Sequence, residues 1–209
     1  MFLGVDPSDE RYEPAWPPIP SLSTDSVSFI PKHLSGCFLV EFKVLATLER
    51  FFEVFEPMKE KMGPVLVQLP PSLKFNYDVA EHFYTTLKKN FKEYSFAMEV
   101  RHQTWMTEES LTLMSKYDMA FVISQSGDRF PYAETITAKN IYVRFHGPKE
   151  LYASSYSDKM LKGFADKFKH WVSEGHSIWA FFNNDVHMHA LHNGKTLQQM
   201  LQEMEMKKA

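Results

Sequence analysis

From residue 64 onward, short apolar segments of strand length alternate with longer segments of helical periodicity. The apolar segments are VLVQL (65–69), SFAMEV (95–100), MAFVIS (119–124), IYVRFH (141–146) and HSIWAFFNN (176–184). Apolar runs of this length, bounded by turn-forming residues, are typical of buried strands. Strands that are separated by single helices pair in parallel through right-handed crossovers. The pattern therefore predicts an α/β fold, which is either a β/α barrel or a doubly wound sheet.

Segments with apolar residues at helical spacing lie around these strands. We expect helices over Thr47–Lys61, over Asn76–Asn90, from Thr107, over Asp158–Glu174 and over Ala190–Met206. Thr107 precedes two glutamates, as an N-cap residue does, and Gly175 suits the end of a helix. The segment CFLVEFKVL (37–45) is a possible sixth strand in front of the first helix.

Residues 1–36 differ in composition from the rest of the chain. Six of the 12 prolines lie here, and proline both fixes φ and removes a hydrogen-bond donor. We therefore predict an irregular segment over residues 1–36 that adds no central strand, followed by a β/α barrel domain over residues 37–209.

Composition limits the possible functions. The 209 residues carry a net charge of −3, which does not support nucleic-acid binding through bulk charge. The one cysteine, Cys37, excludes an intrachain disulfide. No secretory signal and no apolar run long enough to span a membrane are evident, so we expect a cytoplasmic protein. No glycine-rich phosphate loop follows any strand, which favours the barrel over a doubly wound nucleotide-binding sheet.

Polar side chains end four of the apolar segments. They are Gln68, then Glu99, Arg101 and His102, then Arg144 and His146, and finally Asn183, Asn184 and Asp185. In a β/α barrel the carboxyl ends of all strands lie on one face, and that face carries the active site. The pattern therefore predicts one shared site at the strand ends.

Strand alternation groups these residues further. Glu99 and Arg101 point to the same side of a strand, as do Arg144 and His146. Arginine binds carboxylates or phosphates, so Arg101 and Arg144 are candidate anion ligands, with Glu99 and His146 as candidate acid/base groups. Asp185 is a third catalytic candidate, as a base or a metal ligand. The alternative is that Glu99 and Arg144 form a buried ion pair that fills the barrel.

The remaining candidates each have a structural alternative. Gln68 could orient a substrate or hold the turn before Pro70. Asn183 and Asn184 could bind ligand hydroxyls or cap the next helix. Trp105, which is close to His102 in the chain, could stack against a ring of the ligand or pack at the start of a helix. The loop tyrosines, Tyr152 and Tyr156, are candidates for the edge of a lid.

Three histidines close to Asp185 raise the question of a metal site. They are His187, His189 and His192. Their spacing lacks the i, i+4 pair of a helical zinc motif. We therefore predict no metal and no cofactor. A divalent metal held by Glu99, His146 and Asp185 is the less favoured alternative.

Four longer motifs contain the polar strand ends: GPVLVQLPPSL, AMEVRHQTW, YVRFHG and AFFNND. In this order and spacing they resemble the YecE-like family (domain of unknown function 72) over about residues 47–201. The resemblance implies a TIM-barrel-type fold with a pocket, and no reaction is assigned to that family. Its barrel has been likened to those of sugar isomerases.

The front of the chain departs from that family. Its members open with a G-x-S-G-W-type and an E-x-N-x-T-F-Y-type segment, and neither occurs here. Five or six strands are predicted against eight in a complete barrel, so we expect a TIM-type barrel that is incomplete or altered at its N-terminal side.

The leading hypothesis for function is an isomerase- or hydrolase-like enzyme that acts on a small polar or anionic, sugar-like ligand. One alternative is a non-catalytic module that binds a phosphorylated metabolite or a nucleotide through the same arginines. Another is a truncated, inactive family member. The sequence leaves the choice between enzyme and binding protein open, and it does not predict an oligomeric state.

Overall fold

Five parallel strands form one sheet in the computed structural model, which describes residues 37–206. They are β1 (Val65–Gln68), β2 (Phe96–Glu99), β3 (Met119–Gln125), β4 (Asn140–Phe145) and β5 (Ser177–Phe182). Their order in space follows their order in the chain, and every neighbouring pair is parallel. The strands predicted after residue 64 are thus all confirmed.

Five α-helices accompany the strands within this part of the chain. They are α1 (Cys37–Phe55), α2 (Tyr77–Asn90), α3 (Glu108–Lys116), α4 (Asp158–Ser173) and α5 (His189–Met206). Three of them begin at side-chain N-caps, in which Asn76, Thr107 and Ser157 each accept a hydrogen bond from a first-turn N–H. Helix α4 is followed by Gly175, whose φ of 92° suits glycine. These caps explain why the predicted starts of α2, α3 and α4 hold to within about two residues.

The possible sixth strand is wrong. Residues 37–45 belong to α1, which runs without a break from Cys37 to Phe55. No glycine or proline interrupts this segment, and apolar residues keep helical spacing into its second half. The helix predicted over Thr47–Lys61 ends earlier than expected, and a 3₁₀ helix covers Glu56–Lys61. Pro57 lacks an N–H and disfavours α-helical φ/ψ at the residue before it, which explains the change.

The chain divides after residue 56 into two units. Helix α1 belongs to the first unit. All five strands and the helices from α2 onward belong to the second, which contains the candidate site. The irregular segment predicted for residues 1–36 lies outside the described residues.

The two faces of the sheet pack against different partners. Alternate residues of β3 and β4, such as Ile123 and Phe145, form a cluster with helix residues that include Leu161 and Leu197. The opposite face forms a second cluster without any helix residue. Its members are Ala97, Ala120, Val122 and Tyr142, together with the half-buried Leu66, Ala138 and Trp179. Helices on one face and a side-chain-filled interior on the other are the features of a β/α barrel rather than a doubly wound sheet.

The sheet is therefore part of a TIM-type barrel, with five of the eight strands of a complete barrel in the described residues. The expectation that the strands are buried holds for β2, β3 and β4 but not for the two outer strands, β1 and β5. On β5, Phe181 is 42% exposed and stacks on Tyr142. Strand β5 has one neighbour in this sheet, so less of its surface is covered.

No helix within residues 37–206 is both long enough and apolar enough to cross a membrane.

Candidate functional site

The carboxyl ends of β1 to β5 bring polar side chains together around Glu99. Gln68 is the register partner of Glu99, and Ser124 is the register partner of Arg144. The residues joined by these contacts are Gln68, Glu99, Arg101, Ser124, Arg144, His146 and Asn183. We call this group the Glu99 cluster. Six of the seven are candidates predicted from the sequence, and Ser124 is new.

Glu99 lies at the centre of the cluster and has no exposed surface. Its Oε1 accepts hydrogen bonds from Arg101 Nη2 at 3.3 Å and from Ser124 Oγ at 3.2 Å. Its Oε2 accepts a hydrogen bond from Arg144 Nη1. The buried ion pair between Glu99 and Arg144, which the sequence offered as an alternative, is therefore present. A buried carboxylate is tolerated only when it is paired and hydrogen-bonded in this way.

These partners keep Glu99 ionised. Burial by itself would raise the pKa of the Glu99 carboxyl. The hydrogen bond from His146 and the charge and hydrogen bond of Arg144, with a further contribution from the charge of Arg101, outweigh burial and lower the pKa to about 2. A carboxylate with so low a pKa is a poor base at neutral pH. The ion pairs and the lowered pKa favour a counter-charge role for Glu99, and its acid/base role stays a prediction.

Arg101 is held between the cluster and the loop after β3. Its Nη2 donates to Gln68 Oε1 at 2.8 Å, and its guanidinium carbon lies 4.1 Å from the centre of the Phe130 ring. The loop that carries Phe130 is fixed by a bond from the Phe130 N–H to the Oγ of buried Ser126. Within the described part of the chain, the buried Nε of Arg101 has no acceptor. Arg101 is therefore oriented by stacking, and part of its donor capacity is unused.

Arg144 bridges three strand ends. Its Nη1 donates to Glu99 and, at 3.2 Å, to Gln68 Oε1, and its Nε donates to Asn183 Oδ1 at 3.2 Å. Its Nη2 has no acceptor among residues 37–206. The side chain is 15% exposed, and that of Arg101 is 13% exposed. Both guanidiniums thus lie at the boundary between the buried carboxylate and solvent.

His146 lies just beyond β4 and is fully buried. Its Nε2 is 3.3 Å from Glu99 Oε1. Because ionised Glu99 can only accept, Nε2 must carry a proton, and Nδ1 is an acceptor when the ring is neutral. This Nδ1 is buried and has no partner in the described residues. The ring contacts Tyr152 edge to face, with centroids 5.5 Å apart.

The loop after His146 holds the two tyrosines in different environments. Gly147 has a φ of 115°, and its N–H donates to Tyr156 Oη. Tyr156 is 3% exposed and donates to the carbonyl of Gln125, and burial raises the pKa of its hydroxyl. The prediction that Tyr156 lines the edge of a lid is therefore wrong, because its ring fills the interior beside Phe145. Tyr152 is 37% exposed and lies at the surface.

The two asparagines after β5 have different hydrogen-bond partners. Asn183 bonds Arg144, whereas buried Asn184 donates to Ser154 O at 3.0 Å and to Asn193 Oδ1 at 2.9 Å. Asn193 in turn accepts from the N–H of Tyr156 and donates to its carbonyl. Asn184 therefore ties the loop after β4 to α5 and contributes no bond to the Glu99 cluster.

Asp185 and His102 also lie outside the cluster. Asp185 is exposed and precedes a 3₁₀ helix over Val186–Met188 without capping it through its side chain. The Nδ1 of His102 accepts from the Thr104 N–H, which caps the 3₁₀ helix over Gln103–Trp105. Trp105 is buried there, and its Nε1 donates to the carbonyl of Leu73. Trp105 therefore packs at the start of a helix, which was the structural alternative.

Within residues 37–206, no group of three or more histidine, cysteine or acidic side chains is arranged to hold a metal ion. Glu99, His146 and Asp185 therefore do not form the divalent site considered as an alternative. Of the histidines close to Asp185, His187 lies in a strained turn, in which His187 and Met188 have φ values of 59° and 63°, and His189 and His192 belong to α5.

Two members of the site were missed from sequence. Ser124 is the second-last residue of β3 and bonds Glu99, and Phe130 stacks on Arg101. Ser124 could have been found, because β3 also ends in polar residues, Ser124-Gln125-Ser126, and shares the pattern of the other strands. Nothing in the sequence signals Phe130, since its position depends on how the loop after β3 folds back.

The charges of the cluster do not cancel. Two guanidiniums and one carboxylate leave one positive charge when His146 is neutral. This excess lies at the carboxyl ends of the strands, beside the amides of Gln68 and Asn183. Such an arrangement can bind a carboxylate or a phosphate group, and its amides can bind hydroxyls.

Comparison with known proteins agrees with this architecture. Residues 31–209 match the family model described as a protein of unknown function, DUF72. A DUF72 family protein from Enterococcus faecalis has a similar structure, with a TM-score of 0.68 and 18% identity over 76% of this chain and 66% of that chain. A DUF72 family protein from Thermotoga maritima has a TM-score of 0.62 and 28% identity over 75% of this chain and 63% of that chain.

This chain thus spans less than two thirds of the length of either solved relative. No curated protein matches it. The family model covers most of the sequence, and the fold agrees with that of two solved members. The chain therefore belongs to the DUF72 family, which confirms the resemblance to YecE-like proteins.

Proposed function

We propose that the Glu99 cluster binds a small anionic ligand that carries a carboxylate or phosphate group. The observation that carries this proposal is the arrangement of two arginines on one buried carboxylate, which leaves an uncompensated positive charge at the strand ends. Ligand sites of β/α barrels lie at this face. The chemistry of the amides next to the arginines suits a ligand that also carries hydroxyl groups, as a sugar acid or sugar phosphate does.

The state of the arginines supports binding. Arg101 and Arg144 are fixed by Glu99, Gln68, Asn183 and the ring of Phe130, so little side-chain freedom would be lost on binding. Each guanidinium still has N–H groups without an acceptor in the described part of the chain. Buried donors are nearly always satisfied in proteins, so the buried Nε of Arg101 requires an explanation, and an acceptor supplied by a ligand is one.

Within this proposal the cluster residues have separate roles. Glu99 holds the two arginines in place, and the arginines contact the anion. His146 is the remaining candidate for proton transfer, because Glu99 fixes its Nε2 while the acceptor Nδ1 has no partner in residues 37–206. Turnover of a bound compound would make the protein an enzyme, and binding without turnover would make it a binding module.

Phosphate and succinate are suitable probes for titration calorimetry in Tris–HCl of low ionic strength. We expect saturable binding to the wild-type protein and at least about tenfold weaker binding to Arg144→Lys, because lysine keeps the charge beside Glu99 but cannot form the two-pronged contact. Lys169→Ala is the matched control, since it removes an exposed positive charge in the last turns of α4. Its affinity should equal that of the wild type.

The comparison of the two probes identifies the anion class, and a thermal-shift screen of metabolites with and without divalent metals then searches for the ligand itself. Failure of the wild type to bind either probe would contradict the proposal. Equal affinities of Arg144→Lys and the wild type would also contradict it, because the anion would then bind elsewhere.

A further inference from the structure

The amide oxygen of Gln68 lies between the two arginines in the position expected for a ligand oxygen. It accepts hydrogen bonds from Arg101 Nη2 at 2.8 Å and from Arg144 Nη1 at 3.2 Å. An oxygen that receives N–H groups from two guanidiniums has the surroundings of one oxygen of a bound carboxylate or phosphate. In Gln68 that oxygen belongs to a neutral amide.

We propose that Gln68 occupies the oxyanion position of the site in the unliganded protein and that an oxygen of the ligand displaces it. This inference rests on the proposed function and adds two points to it. The ligand must present an oxyanion oxygen to both guanidiniums at once, and the amide oxygen of Gln68 competes with that oxygen for the arginines.

The location of Gln68 makes it exchangeable. It is the last residue of β1, a strand with one neighbour in the described sheet, and it is exposed to solvent. Glu99 receives bonds from the same two guanidinium nitrogens but is fully buried, so no ligand can replace it. Of the two acceptors shared by the arginines, only Gln68 can leave without uncovering the interior.

The chemistry favours exchange as well. A hydrogen bond between two charged groups is stronger than one between a guanidinium and a neutral amide oxygen. The amide nitrogen of Gln68 has no partner among residues 37–206, so within this part of the chain displacement breaks two bonds, both to its oxygen. A phosphate or carboxylate oxygen would restore both of these bonds and place its charge beside the excess positive charge of the cluster.

Two substitutions at Gln68 test the inference by titration with inorganic phosphate. Gln68→Ala removes the competing oxygen and should tighten phosphate binding by roughly threefold or more, as expected from the net value of one or two hydrogen bonds. Gln68→Glu places a carboxylate between the arginines and should weaken binding by at least about fivefold. Gln198→Ala, at an exposed position of α5, is the control and should bind like the wild type.

The outcomes separate the two proposals. Tighter binding by Gln68→Ala together with weaker binding by Gln68→Glu supports displacement. If the wild type binds phosphate and Gln68→Ala binds it equally well, Gln68 has no role in binding. If Gln68→Ala binds it more weakly, Gln68 contacts the ligand. Either result overturns this inference alone. If neither the wild type nor Gln68→Ala binds, the proposed function fails and this inference falls with it. Circular dichroism of each variant establishes that it is folded.

Discussion

Glu99→Gln should lower the free energy of unfolding at neutral pH by about 3–5 kcal/mol, the range found when one partner of a buried ion pair is removed. Glutamine has the same size but no charge, so Arg101 and Arg144 would face each other, 13% and 15% exposed, without a counter-charge. Urea denaturation with linear extrapolation measures the loss. Glu81→Gln is the control, because Glu81 pairs with a half-exposed Lys116 and solvent screens that pair.

Acid titration of the same variant tests the physical cause. The folded-state pKa of Glu99 is about 2, below its ordinary value of 4.5. The stability that comes from its ionisation is therefore present above about pH 4.5 and is lost as the pH falls towards 2. That shift corresponds to about 3 kcal/mol. Glutamine cannot titrate, so the difference in stability between wild type and Glu99→Gln should shrink over this pH interval. A difference below about 1 kcal/mol at pH 7, or one that does not change with pH, would contradict the role given to Glu99.

Gly147→Ala should lower the free energy of unfolding by about 3 kcal/mol, because the backbone would be strained and the added Cβ would clash with its neighbours. The φ of 115° at Gly147 is a conformation that side chains rarely adopt. A Cβ there would lie 2.5 Å from the carbonyl oxygen of Glu150 and 2.9 Å from Ser154 Oγ. The loop cannot easily yield, because that hydroxyl also bonds the N–H groups of Lys149 and Glu150.

Gly163→Ala is the matched control for this loop substitution. Gly163 lies inside α4, and apart from its chain neighbours and the nearby backbone of its own helix no atom lies within 4 Å of the place where its Cβ would be. Alanine should stabilise the helix by roughly 0.5–1 kcal/mol, since it has the higher helix propensity. Thermal and urea unfolding of both variants provide the comparison. A Gly147→Ala protein as stable as the wild type would show that the loop after β4 is not constrained as described.

The strands and most helices could be predicted because local chemistry determines them. Apolar runs of strand length gave β1 to β5, and the capping side chains of Asn76 and Thr107 defined helix starts. Strand alternation also placed Glu99 with Arg101, and Arg144 with His146, before any contact was known. The register of β1 and β2 then brings Gln68 beside Glu99.

What sequence reasoning missed depends on tertiary packing. The segment over residues 37–45 is apolar enough for a strand. It is helical because it continues without a break into the rest of α1. Asn184 has the same residue type as its neighbour Asn183, yet the turn after β5 directs it to Asn193 instead of Arg144. Tyr156 lies in a loop of the sequence, but its hydroxyl is buried and accepts a hydrogen bond from the Gly147 N–H. No local pattern encodes the placement of Asn184 or of Tyr156.

The most direct test of the account observes the arginines themselves. The chain has five arginines, so their Nε–Hε signals in a ¹⁵N-labelled sample form a small set that Arg101→Lys and Arg144→Lys can assign. We expect the signals of Arg101 and Arg144 to shift saturably as inorganic phosphate is added, while that of exposed Arg129 stays unchanged. Signals of Arg101 and Arg144 that do not move, or that move no more than that of Arg129, would contradict an anion site at the Glu99 cluster.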